Sequence, residues 1–532
     1  MMIGAELLVR TLEEHGVEYI FGVPGDIENT LFAALKDSRI QFFNVRHEQS
    51  GAFMADVYHR LTGKLGVCFS TLGPGATNML TGVANAHQDR SAVLALSGQL
   101  ARPQLTFDSH QYINLKRVFE EVTKATFIVK RARDMNADIS SAIRIAKREK
   151  PGPVHVTLPI DVLDEDASGY RTVSSHQELT FNYEVQLREM YDLIKNSNKV
   201  TAIAGPGVVR ANASAHLVAF LEKYNIPAYT SFLAKGVIPE GHALNCGILS
   251  RHSTKARENL GNQDLVILLG YDRIEGVEPI MWEGARATAT VDETSPPDGF
   301  VPTVEVRAPI RDVLESLTTR LDPVRKDAAD IEAMRIKTPL VTSEVEEMFP
   351  AHPAYVLKVV GELLGRDDVV VSDVGLHKQY VGMYYPAEAP NKTIFSNGLS
   401  SMGFSLPAAI AAQLVLPDQN VVAVTGDGGF QMNLQELATA VEHRLPITIL
   451  IFNDGGYGMV KDRQLRQVKK TYAAQFLHNT HYAKIAEAYG AKGFRLETVK
   501  DLRANLRAAI EHRGVSVVDI PIQQYSDIQG MR

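Results

Sequence analysis

The stretch Val421-Val-Ala-Val-Thr-Gly-Asp-Gly-Gly-Phe430 is an apolar run that breaks into a glycine-flanked aspartate. A helical pattern follows, Leu434-Gln-Glu-Leu-Ala-Thr-Ala-Val-Glu-His443, and a second apolar run, Ile447-Thr-Ile-Leu-Ile-Phe452, ends at Asn453-Asp-Gly-Gly-Tyr457. Apolar runs on either side of a helix spell a β-turn-α-β unit of parallel strands, so both polar turns fall at the strands' carboxyl ends. There Gly426, Gly428 and Gly429 let the backbone close on a ligand, and the N–H groups opening the helix point at an anion.

Asp427 adds a carboxylate to this first turn, and Asp454, 27 positions on, adds another to the second. A diphosphate held at such a turn needs a divalent cation. Mg2+ would find its octahedral oxygen ligands in Asp427, Asp454, the carbonyl of Gly456, two phosphate oxygens and water. A lone Gly-Asp-Gly also ends strands for steric reasons. The paired turn resembles the thiamin-diphosphate motif, Gly-Asp-Gly followed about 25–30 residues later by Asn-Asn or a variant. Asp454 stands where the second Asn falls, so Asp454→Asn is expected to be milder than Asp454→Ala, which should raise the metal and cofactor required.

Thiamin-diphosphate chemistry requires a carboxylate against the aminopyrimidine ring, to relay the proton that makes its amino group a base. Glu48 fits, in Val45-Arg-His-Glu-Gln-Ser-Gly-Ala-Phe53, after the strand Ile40–Val45 and at a helix start. In isolation it reads as a capping glutamate. The glycine-rich turns Phe21-Gly-Val-Pro-Gly-Asp26 and Thr71-Leu-Gly-Pro-Gly-Ala-Thr-Asn78 flank it in the order found in pyrimidine-binding domains.

On these motifs the chain resembles the acetohydroxyacid synthase/pyruvate oxidase group along essentially its whole length, and within it the acetolactate synthases. Ser396-Asn-Gly-Leu-Ser-Ser-Met-Gly-Phe-Ser-Leu-Pro-Ala-Ala409 is similar to the segment under the cofactor. The resemblance implies that Met402 wedges between the two rings and that the Ser400 carbonyl accepts from the amino group. It implies that Gly375, Leu376 and His377 of Asp373-Val-Gly-Leu-His377 meet the diphosphate, and that Thr71, Tyr457 and Met459 also contact the cofactor. Gly25, His110 and Gln111 would serve the reacting end, with Gln111 bonded to the lactyl oxygen. The same resemblance makes Glu48 and the cradle meet across a subunit interface, so a homodimer is the minimum and a homotetramer is expected.

Departures from the biosynthetic synthases point to the catabolic, flavin-free type. Arg463 stands where they carry Trp, Ile160 where they carry Lys, and Arg251 where they carry Met. Gly270-Tyr-Asp-Arg-Ile-Glu-Gly-Val-Glu-Pro-Ile-Met-Trp282 replaces their FAD-contacting arginine pattern. FAD is therefore not expected. The implied reaction decarboxylates pyruvate and joins the remainder to a second pyruvate, giving 2-acetolactate. Arg251 and Arg463, if they line the site, could hold the acceptor's carboxylate or a sulfonate. The alternatives are another 2-oxoacid decarboxylase, a pyruvate oxidase, a sulfoacetaldehyde acetyltransferase, or a binding protein of this fold without catalysis.

With 532 residues the chain suits three domains. The expected fold class is α/β, with three doubly wound parallel-sheet domains: pyrimidine-binding over 1–165, central over 185–320, and diphosphate- and Mg-binding over 351–532. The polar stretch from Asp161 to about Glu184 reads as a linker, and 322–350 as a charged helical connector. Gly205-Pro-Gly207 lacks the spacing of a dinucleotide fingerprint and reads as a turn. A net charge of −7 without a basic run argues against nucleic acid, and Arg463–Lys470 reads as a solvated or anion-facing helix. Cys68 and Cys246 exclude a disulfide framework. No apolar run approaches 18 residues and the amphipathic pattern starts at Leu7, so no membrane is expected and the setting is cytoplasmic.

Overall fold

The computed structural model describes residues 2–172, 181–250, 253–296, 299–322, 326, 331–336, 338–478 and 480–523. Arg251 therefore lies outside the described residues, as do positions 524–532 of the expected third domain.

Eighteen strands form three six-stranded sheets among these residues. The first holds β1 (Tyr19–Gly22), β2 (Gln41–Asn44), β3 (Gly66–Ser70), β4 (Val93–Gln99), β5 (Ala125–Ile128) and β6 (Val154–Pro159), in the order β2-β1-β3-β4-β6-β5. The second holds β7 (Val200–Ala204), β8 (Ala228–Thr230), β9 (Asn245–Ile248), β10 (Leu265–Leu269), β11 (Ala287–Asp292) and β12 (Val304–Arg307), in the order β12-β11-β10-β7-β8-β9. The third holds β13 (Val369–Ser372), β14 (Thr393–Phe395), β15 (Val421–Gly426), β16 (Ile447–Asn453), β17 (Lys492–Arg495) and β18 (Ser516–Pro521), in the order β14-β13-β15-β16-β18-β17. Every ladder is parallel. Helices cover both faces, which is why β16 is buried at all seven positions and reads as one apolar run. The fold is α/β with three doubly wound sheets.

Sheet order fixes where ligands can sit. A doubly wound sheet opens a crevice at the carboxyl end where the winding reverses. In the first sheet that point lies between β1 and β3, and in the third, of the same order, between β13 and β15. The middle sheet has the 3-2-1-4-5-6 order of dinucleotide-binding folds, with its reversal between β7 and β10. The loops after β7 and β10 touch there. A Cβ on Gly205 would lie 2.4 Å from the Gly270 carbonyl oxygen, and one on Gly207 2.5 Å from the Gly270 Cα. Asp272, next in the loop, takes Arg90 at 2.9 Å and Lys150 at 3.4 Å from the first domain.

The first and third domains share one apolar core. The helix Glu48–Thr62 packs on the helix Ser405–Val415, with Phe53 edge-on to Phe404 at 5.5 Å. Polar ties run beside it, from the Arg46 N–H to Glu436 at 3.1 Å and from Ser396 Oγ to Asn85 at 2.6 Å.

Three expectations change. Residues 161–167 are not linker: a short helix, Ile160–Asp164, buries Val162 and Leu163 in the first core, Ala167 beyond it joins them, and the Glu165 carbonyl caps the first helix through the Gly4 N–H at 3.0 Å. The connector is not one helix. Its described part has two short ones, Ile331–Met334 and Ser343–Glu347, with Met334 buried against the middle domain. The helix after β15 starts at Asp427 itself, running to Asn433 before Glu436–Glu442 continues. No helix among the described residues is long and apolar enough to cross a membrane.

Candidate active site

The reversal point of the third sheet holds a cavity of about 140 Å³. The loop after β13 supplies Gly375, Leu376 and His377; the turn after β15 supplies Gly426, Asp427, Gly428 and Gly429; the turn after β16 supplies Asp454, Gly456, Tyr457 and Met459; and Met402 closes one side. Glycine is demanded by space. A Cβ on Gly428 would come within 2.8 Å of the Tyr457 ring, and one on Gly456 within 2.3 Å of the Ala474 carbonyl oxygen.

Asp427 organises both turns. One carboxylate oxygen accepts from the Gly428 N–H at 2.9 Å, and the other reaches across to the Gly456 N–H at 2.9 Å. Burial, together with the nearby charge of Asp454, pushes its pKa up to about 7, and burial raises Asp454 as well. Two buried carboxylates that resist ionisation side by side suit a divalent cation, which would restore both to the charged form. Among the described residues no cluster of three or more His, Cys, Asp or Glu could hold a metal. The donor set is thus two carboxylates and a carbonyl, which fits Mg2+ only if a ligand such as a diphosphate adds oxygens.

His377 faces the same cavity with its Nε2 buried and unpartnered, and burial pushes its pKa down to about 3. A phosphate oxygen there would partner Nε2 and raise that value. Beneath the cradle, Asp373 accepts from the N–H groups of Val374, Gly403 and Ser405 and from the Ser405 hydroxyl, tying the loop after β13 to the Met402 segment.

The second group of residues gathers at the reversal point of the first sheet. Thr71 Oγ1 donates to Glu28 Oε1 at 2.9 Å, and a Cβ on Gly25 would lie 2.3 Å from both Thr71 Oγ1 and Glu28 Oε2. Glu48 opens its helix, is buried, and accepts from Asn78 Nδ2 at 3.0 Å. A Cβ on Gly75 would meet Glu48 Oε1 at 3.1 Å and Thr71 Cγ2 at 3.0 Å, so Glu48 and Thr71 are neighbours. Gln111 places its carbonyl 2.9 Å from the Cβ position of Gly73, with φ +58°, and both it and His110 are exposed.

Within one chain these two groups stay apart. Glu48, Gly25, Thr71, His110, Gln111 and Ser400 do not line the cavity, and neither does the exposed Arg463. Ser400 lies on the surface at φ +56°, its hydroxyl donating to the Asn397 carbonyl at 2.7 Å.

Two residues escaped the sequence. Lys461 is buried and reaches Asp454 at 2.8 Å. Glu28 is fully buried, with Oε2 unpartnered, and burial raises its pKa to about 7. A carboxyl raised from its usual value stays protonated in the fold at pH values where the unfolded chain has ionised, so stability is lost as pH climbs towards 7. Glu28→Gln should therefore melt higher than the parent at pH 8, by up to about 3 kcal/mol, and the difference should shrink as pH falls through 7 to 4.5. Melting curves across that range check this, and a pH-independent difference would refute it.

Two sheets of one strand order, each with its polar residues at the reversal point and one presenting a glycine cradle with two carboxylates, describe a two-part site for a diphosphate cofactor. The chain belongs to the thiamine pyrophosphate enzyme family: its residues 2–122, 187–317 and 373–520 match the N-terminal TPP binding domain, the central domain and the C-terminal TPP binding domain. It is 32% identical over 559 residues to a probable acetolactate synthase large subunit of Methanococcus aeolicus, covering 99% of this chain and 93% of that one. The acetolactate synthase isozyme 3 large subunit of Escherichia coli is 31% identical, over 96% of this chain and 92% of its own. An acetolactate synthase of Mycobacterium bovis is 33% identical, over 94% and 85%.

Proposed function

We propose that the chain is a Mg2+-dependent, flavin-free carboligase that decarboxylates pyruvate and joins the two-carbon remainder to a second pyruvate, giving 2-acetolactate. The observation that carries this reading is the glycine-lined cavity presenting Asp427 and Asp454, in a chain similar end to end to acetolactate synthases.

Asp427, Asp454 and the Gly456 carbonyl would hold Mg2+, and the N–H groups of the loop at Gly375 and Leu376, with His377, the diphosphate. Thiamin diphosphate, when bound, supplies the electron sink that takes up the electron pair left as CO2 departs. Met402 fills the cavity wall beside Gly428 and fixes the shape of what binds there. Glu48 would hold and return a proton at the ring nitrogen of the pyrimidine, and Asn78 orients it. Gly25 and Thr71 keep the first sheet's crevice clear for the reacting end, with Gln111 placed to bond the substrate oxygen. Two pyruvates and one proton give one acetolactate and one CO2, so no electron is left for flavin.

The protein works as a homodimer at least, and as a homotetramer in our reading. A cavity of about 140 Å³ falls short of the roughly 300 Å³ at the low end of small-molecule sites. Glu48 must come from elsewhere, and apolar side chains at Met432, Met459, Val460 and Leu477 are exposed in the single chain. The buried, unpaired Cys68 and Cys246 suit a reducing, cytoplasmic setting.

Purified protein given pyruvate, thiamin diphosphate and Mg2+ should be colourless and release acetolactate with one CO2 per two pyruvates. Acetaldehyde as the product would make it a simple decarboxylase. Stoichiometric flavin, lost together with activity on stripping, would make it an oxidase or a biosynthetic synthase.

A further inference from the structure

Lysine is almost never fully buried unless paired. The helix Gly458–Val468 is mostly exposed, and its one buried residue is Lys461. The side chains of Lys461 and Asp454 are each 4% exposed. The ammonium donates to the Asp454 main-chain carbonyl at 2.6 Å and lies 2.8 Å from Asp454 Oδ2, close enough to pair with the carboxylate although not aligned with it as a hydrogen bond. Lys461 therefore grips both ends of the residue that opens the second turn. Asp454 lines the cavity and Lys461 does not. The turn itself is tied down from the other flank, by the Phe476 N–H to the Gly455 carbonyl and the Tyr457 N–H to the Ala474 carbonyl, each at 2.8 Å.

We propose that Lys461 is a positioning residue for the metal: Lys461 and Asp454 act as one neutral pair, the ammonium holding the carboxylate in place and cancelling its charge while leaving its cavity face to the cation. The proposal rests on the reading of the cavity as a Mg2+-diphosphate site. It predicts that Asp454→Asn, expected to be milder than Asp454→Ala, is damaging in its own right. Exchanging Asp454 for a neutral amide strands a buried ammonium a few ångströms from where a divalent cation must bind, which opposes that cation directly. Removing the lysine instead strands the carboxylate beside Asp427. Removing both charges leaves a neutral oxygen donor with no uncompensated partner. The two substitutions are thus predicted to be worse apart than together, which side-chain packing alone does not give.

The test is a double-mutant cycle on the full-length protein with Asp454→Asn, Lys461→Met and both. Calorimetry reads thiamin-diphosphate binding at graded Mg2+, and melting curves are taken without metal and with Mg2+ alone. Asp454→Asn should raise the Mg2+ needed for half-maximal cofactor binding by about 10–100-fold. Lys461→Met should melt lower without metal and gain more from Mg2+ alone than wild type does. The double variant should return the Mg2+ requirement to within about threefold of wild type. Binding by Asp454→Asn at wild-type Mg2+, or a double variant that needs as much Mg2+ as Asp454→Asn alone, would overturn the pairing while leaving the cofactor site intact. Wild-type protein that binds no thiamin diphosphate at any Mg2+ concentration would overturn both.

Discussion

Glu48→Gln is expected to bind thiamin diphosphate as wild type does and to lose about 10²–10⁴-fold in turnover. Glutamine keeps the length and planarity of the side chain and can still meet Asn78, so the opening of the helix at residue 48 is undisturbed. What it cannot do is exchange a proton with a ring nitrogen. The effect therefore separates the two halves of the site: affinity belongs to the cradle in the third domain, proton movement to the first. Hydrogen–deuterium exchange at the thiazolium carbon of bound cofactor, followed by NMR, measures that movement before any substrate is present. Exchange at the wild-type rate in the variant would remove Glu48 from the chemistry.

Asp427→Ala is expected to be the most damaging single change to cofactor retention, raising the Mg2+ and thiamin diphosphate required by at least roughly 100-fold. The residue does more than offer one ligand. Its two oxygens hold the N–H groups of Gly428 and Gly456, so its loss frees both turns at once and leaves two buried donors without partners. Asp427→Asn, which keeps an acceptor for one of those donors, should fall between. Calorimetric titration orders the three proteins, and an Ala variant that saturates like wild type would displace the metal from this turn.

The chain wrote its cradle plainly because buried parallel strands leave continuous apolar runs, and the turns at their carboxyl ends need glycine for close approach. Val421–Gly426 and Ile447–Asn453 show both signals, and they are adjacent, in-register strands. Other features leave no such trace. Lys461 sits among Asp462, Arg463, Gln464 and Arg466, where polarity says solvent, and only three-dimensional proximity reveals that one of these charges turns inward. Glu28 follows a Pro-Gly turn that reads as surface, yet Gly98 makes room for its carboxylate: a Cβ there would sit 1.7 Å from Glu28 Oε1. The polar run at 164–169 looked like a tether because composition cannot register that Glu165 caps a helix begun some 160 residues earlier.

The packing of Phe53 on Phe404 bears on how the chain can be taken apart. The helix that opens with Glu48 and the one beneath the Met402 segment bury each other's apolar faces, so neither outer domain owns a complete core. Expressed alone, either outer domain would present that face to water and aggregate or bind indiscriminately. Fragments split within the connector around residue 340 should instead find one another and reassemble, and the middle domain cannot simply be exchanged: beside its own cluster around Phe220 and Ile267, its Phe232 lies edge-on to Phe395 at 5.3 Å in an apolar cluster of the third domain.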